Sequence, residues 1–173
     1  MVSPESFSQF YAAAAGAGAT LIGFLAVANS IVDSKDNTRT SSIQEGILAE
    51  SAYSAFANVF LLSLIGLEPF INIGYGAIIL SIVGLISTFR LQQSGLYQLR
   101  KLSKARAQIS RTVLVGAAAT YAAELLAGIL TVLNQDEQAM IAVLIYVIIA
   151  LTAIGLTRAW ELMGLRKILS RGE

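Results

Sequence analysis

The sequence predicts an all-α polytopic membrane protein, a bundle of five transmembrane helices with the N-terminus outside and the C-terminus cytoplasmic. Three observations lead there. Apolar residues make up 55% and charged residues 13% of the 173-residue chain, with a mean hydropathy of +0.69. A soluble domain carries about a quarter charged residues and could not cover its surface with so few. Five windows approach the ~20 apolar residues that a bilayer crossing takes, and all 12 Lys and Arg fall on alternate connections or the adjoining helix ends. The apolar content also excludes disorder, and the absence of Cys excludes a disulfide scaffold.

The expected spans are residues 7–32, 46–67, 70–89, 112–133 and 139–163, in a single transmembrane domain covering 1–173. The first is a permanent span and not a secretory leader, because no Lys or Arg precedes Lys35 and the apolar stretch exceeds a signal core. A polar linker from Asp33 to Glu45 follows. The second and third spans are separated by Glu68-Pro69, where Pro removes a backbone donor and disfavours helix in the residue before it. A basic linker, 91–111, leads to the fourth span. The polar run Asn134-Gln135-Asp136-Glu137-Gln138 makes a tight turn into the fifth. The runs show no strict alternation, which argues against strands.

One side of this arrangement holds the N-terminus and both tight turns, with Glu5, Glu68, Asp136 and Glu137 and no basic residue. The other holds both linkers and the C-terminal tail. Basic residues mark the cytoplasmic side, which sets the orientation.

Small residues recur on the first span at Ala12, Ala15, Gly16, Ala19, Gly23, Ala26 and Ser30, spaced by three and four. Small faces let helices approach closely in lipid, so Gly16, Ala19 and Gly23 are the expected packing positions and this helix the expected centre. The third span has a like stripe of Gly74, Ala77, Ser81, Gly84 and Thr88. The fifth, nearly all apolar from Ile141 to Leu151, is expected at the periphery.

Polar groups inside the spans are the candidates for function. The second span carries Glu50, Ser51, Ser54, Ala57 and Asn58 on one side. The fourth carries Ala117, Thr120, Tyr121, Glu124, Ala127, Gly128 and Thr131 on one side, opposite Val115, Leu126, Leu130 and Leu133. Glu124 is the most informative. A charge at mid-bilayer costs ~2.5–3.5 kcal/mol on insertion scales, so such a residue faces protein or water. Two readings stand: an ion or proton site, or a protonated, hydrogen-bonded Glu joining helices. Asn58 is its expected companion, because each lies ten residues before an outer turn, hence ~15 Å below it at 1.5 Å per residue; at that shared depth the two either hydrogen-bond directly or lie on one ring of an oligomer. The permeation or helix-joining set is therefore Glu124, Asn58, Thr120, Thr131, Ser54 and Glu50. Glu50 sits near the inner end, within reach of Arg111 or Arg158; Arg158 and Trp160 read as a snorkelling cation and an aromatic anchor.

The second linker has Arg100, Lys101, Lys104 and Arg106 with no acid, and Leu96, Leu99, Leu102, Ala105 and Ile109 at near-helical spacing. It reads as an amphipathic helix on anionic inner-leaflet lipid, or as an extension of the helices. Nucleic-acid binding is not expected from so short a tethered run.

The chain has no His and no Cys, which removes the usual zinc, copper and haem ligands and the Ser-His and Cys-His nucleophile pairs. No cofactor, no metal site and no enzyme activity are expected. The opening Phe10-Tyr11, then Gly16-Ala17-Gly18-Ala19, then Leu21-Ile22-Gly23-Phe24, resembles that of small uncharacterised prokaryotic multi-span membrane proteins, with their aromatic pair, Gly/Ala run and Leu-x-Gly segment. The resemblance covers about twenty residues and implies a plasma (inner) membrane location. Carboxylate, amide and hydroxyl groups favour cations. The leading expectation is thus a small homo-oligomeric channel preferring cations. The alternative is an accessory membrane protein that binds a larger complex without transport; a carrier within one protomer stands third.

Overall fold

The structure is a computed structural model that describes residues 4–33, 39–68, 70–99, 104–133 and 137–169, with side chains described for 7–27, 46, 48–68, 70–90, 115–133 and 141–162. The described residues form five helices: α1 (Pro4–Asp33), α2 (Arg39–Leu67), α3 (Ile73–Leu99), α4 (Lys104–Val132) and α5 (Glu137–Leu169). Each contains a segment long and apolar enough to cross a membrane: Phe7–Val27, Leu48–Leu67, Ile73–Arg90, Val115–Val132 and Ile141–Leu162. Large apolar side chains such as Phe24, Ile79, Val115, Leu126 and Ile149 point outward, as a surface facing hydrocarbon requires.

The helices run past the expected boundaries. α1 continues to Asp33 and α2 starts at Arg39, which shortens the first linker. The basic linker is largely helix: α3 extends to Leu99 and α4 begins at Lys104. The third span starts at Ile73 and not at Phe70, because Asn72 caps it. Asn72 Oδ1 accepts from Gly74 N at 2.8 Å and the Asn72 carbonyl from Tyr75 N at 3.1 Å, the N-cap arrangement. Phe70 is left exposed before the helix.

Helices α2 to α5 make an up-down-up-down bundle. α2 packs on α3, α3 on α4, α4 on α5, and α5 back on α2, while α2 and α4 stand diagonally opposite. α1 lies outside this ring, along α2, and touches α5 slightly. This reverses two expectations. α1 is peripheral, and α5 is central: Leu144, Val147, Ile148 and Leu151 join Val59, Leu62, Ala77, Tyr121 and Ala127 in the main core. An apolar helix suits a protein core and a lipid surface equally, so composition does not place it.

Within the protomer α1 packs through only part of the expected stripe: of its members Ala15 is buried. Tyr11, Ala15 and Leu25 are buried, and Gly18 lies against Phe60, whose Cβ and backbone would be 3.1 and 3.2 Å from a Cβ at Gly18. Ala19, Gly16 and Gly23 point outward, and a Cβ at Gly16 or Gly23 would meet nothing within 4 Å. The close crossing is instead between α3 and α4. A Cβ at Gly74 would lie 2.7 Å from the Gly128 carbonyl oxygen, and one at Gly128 2.9 Å from that of Gly74.

Candidate functional site

The buried stripe of α4 is Ala117, Tyr121, Glu124, Ala127, Gly128 and Thr131, which aims Glu124 at the bundle axis. On α2, a broad buried face from Ala52 to Ser63 includes Asn58. Glu124 is 0% and Asn58 5% exposed, and Asn58 Nδ2 donates to Glu124 Oε2 at 3.1 Å. The bond joins α2 and α4, the two diagonal helices, and so crosses the centre of the four-helix ring. Asn58 Oδ1 and Glu124 Oε1 are also buried and have no hydrogen-bond partner. Two unpartnered oxygens at one point inside an apolar bundle are costly unless something polar meets them.

The other sequence candidates divide. Ser54, one turn before Asn58, is half-buried and lines a small pocket together with Tyr121. Thr120 and Thr131 donate to their own helix, to the Gly116 and Ala127 carbonyls at 2.9 and 2.7 Å. Their hydroxyls are thus satisfied locally. Glu50 is exposed. Arg158 is 3% exposed and therefore not a snorkelling residue; its Nη1 lies 3.4 Å from Glu161 Oε2, one turn along α5, and its Nε has no partner. Trp160 faces outward. Arg100 and Lys101 lie outside the described residues, as do the side chains of Lys104 and Arg106, which sit in the first turn of α4.

A second feature sits beside the pair, towards the end of the bundle where the basic residues gather. A small pocket is lined by Ser51, Ser54, Ala55, Ser87, Thr88, Ala117, Tyr121 and Ile154, and has room for about one water. Tyr121, 3% exposed, forms one of its walls. The ring has its place because residue 84 is Gly; a Cβ there would collide with it. Beyond Asn58 and Glu124, the opposite half of the core is mainly Val59, Leu62, Ala77, Ala127, Leu144 and Ile148. Polar side chains do occur there. Thr131 is satisfied by its own helix, whereas Ser63 is fully buried and its Oγ has no partner.

Among the described residues, sequence reading found Glu124, Asn58, Ser54 and Tyr121 but did not connect Ser87 to them. Ser87 follows Gly84 by three positions, and that spacing is the available signal. The chain matches no protein-family model, no curated protein and no solved structure.

Proposed function

We propose that this chain is a small multi-pass protein that passes a small cation across a plasma (inner) membrane of prokaryotic type, with Asn58 and Glu124 as its selective centre. One observation carries the reading: a carboxylate and an amide, buried at mid-span on diagonal helices, each keep an unpartnered oxygen at the bundle axis. Ionisable groups at this depth mark ion pathways, and oxygen donors suit hard cations. The polar faces of α2 and α4 turn into the protomer, so the path runs within each protomer and not along an axis between copies. Self-association would use the outward small face of α1, with Gly16, Ala19 and Gly23. That face also favours a second reading, an accessory protein docked on a larger membrane complex. Lys104, Arg106 and their neighbours would hold anionic lipid. No catalytic step is part of the proposal.

The test is flux in proteoliposomes. Wild type is expected to admit Na⁺, K⁺ or protons above empty vesicles, and Glu124→Gln to lose about tenfold or more. Gln keeps size and hydrogen bonding but not charge, and bonds to charged groups are worth ~1.5–3 kcal/mol, with about 1.4 kcal/mol per tenfold. Wild-type flux no greater than empty vesicles would favour the accessory reading.

The orientation carries its own expectation. With the basic ends cytoplasmic, a C-terminal reporter that is active only in the cytoplasm should be active. Activity only of an externally active reporter at that end would reverse the orientation.

A further inference from the structure

We propose that Tyr121 is the gate of the Asn58–Glu124 centre, and that in this conformation a small cation reaches the centre only from the basic end, through the hydroxyl-lined pocket. The inference rests on the reading of the pair as a cation site and adds its route and control.

Four helices define the route level by level. Ser51 on α2, Ser87 and Thr88 on α3, Ala117 on α4 and Ile154 on α5 line the pocket. The next level holds Ser54, Tyr121 and Gly84, with the Tyr121 ring against Gly84. One turn further lie Asn58, Glu124 and, on α3, Ser81. The level of Ser81 follows from the antiparallel packing of α3 on α4, which sets Gly84 beside Tyr121 and Gly74 beside Gly128. Hydroxyls thus precede the pair on one side; on the other the core is mostly apolar, with the buried hydroxyls of Tyr11 and Ser63 isolated in it. A cation leaving water loses hydration less steeply among hydroxyl and carbonyl oxygens than among Leu and Val. The Tyr121 ring is the bulky group between the pocket and the pair. Its seat is the missing side chain of Gly84.

The chain has no Cys, so single cysteines report access against a silent background. The probe is a membrane-impermeant cationic thiosulfonate, applied to either face of oriented membranes. Ser87→Cys is expected to react from the basic side only. Ser81→Cys, which leaves Asn58 and Glu124 in place, is expected to react slowly while Tyr121 is present. Adding Tyr121→Ala should speed it at least tenfold from the basic side. Tyr121→Leu keeps an apolar side chain and removes the ring; it should also speed Ser81→Cys from the basic side, even should the Ala variant fail to fold. Ser63→Cys, beyond the pair, should stay unreacted from both sides until the protein is denatured. Reaction of Ser81→Cys from the acidic side, or at a rate indifferent to both Tyr121 variants, would overturn the gate. This labelling is independent of flux. An unaltered Glu124→Gln flux with the labelling pattern intact would remove the cation site and leave the route, whereas Glu124-dependent flux with Ser81→Cys indifferent to Tyr121 would remove the gate and leave the site.

Discussion

Gly128→Leu is expected to destabilise the protein severely, while Gly16→Leu leaves the protomer as stable as wild type. Gly128 and Gly74 face each other across the α3–α4 crossing, and an added Cβ at either would sit 2.9 or 2.7 Å from the other's carbonyl oxygen. A backbone oxygen inside a helix cannot rotate away, so the helices must separate. Compare Gly76, where a Cβ would approach Ile65 Cδ1 at 2.6 Å: the distance is shorter, but the obstacle is the end of a flexible side chain. Overpacking costs ~1–3 kcal/mol, and the rigid obstacle puts Gly128→Leu at or above ~3 kcal/mol, enough to lower the apparent Tm in detergent by several degrees or to prevent accumulation. Gly16 has open space around it, and exchanging Gly for a better helix former favours the helix by up to ~1 kcal/mol. Differential scanning fluorimetry at matched expression makes the comparison. Equal melting of Gly128→Leu and wild type would refute the tight crossing. Size-exclusion of Gly16→Leu adds a separate result, because loss of an oligomer with unchanged protomer melting would place self-association on α1.

The second large effect is non-additive. Either Asn58→Leu or Glu124→Leu alone leaves the remaining polar side chain buried at the bundle axis with its partner gone. An unsatisfied buried group costs ~1–3 kcal/mol. The double variant removes both polar groups and fills the axis with apolar volume, and such exchanges are often neutral or stabilising. Each single variant is therefore expected to melt lower than the double, with a coupling of about 1 kcal/mol; interhelical bonds in membranes average ~0.6 and reach ~1.7 kcal/mol. Strictly additive losses would mean that the two side chains do not act as a pair.

How much of this was legible in the sequence depends on whether polarity or shape decides the placement. The stripes of α3 and α4 were legible because Gly, Ser, Thr and Glu contrast with Leu and Val, and Gly74, Ala77, Ser81, Gly84, Tyr121 and Glu124 are all buried. The shared depth of Asn58 and Glu124 was legible, but their direct bond was not, because depth fixes height and not which faces meet. The packed face of α1 was legible only at Ala15, since Tyr11, Gly18 and Leu25 are no more apolar than the outward face. The central place of α5 was hidden for the same reason, and with it the burial of Arg158, which depends on what covers it and not on its own neighbours. The start of α3 depended on a single cap, Asn72.

The most direct test of a cation centre at Asn58 and Glu124 is flux through the Asn58→Leu, Glu124→Leu double variant in proteoliposomes, measured on material whose melting matches wild type. The expected result is a folded protein that admits no more Na⁺, K⁺ or protons than empty vesicles. Flux at the wild-type level through that apolar axis would contradict the centre.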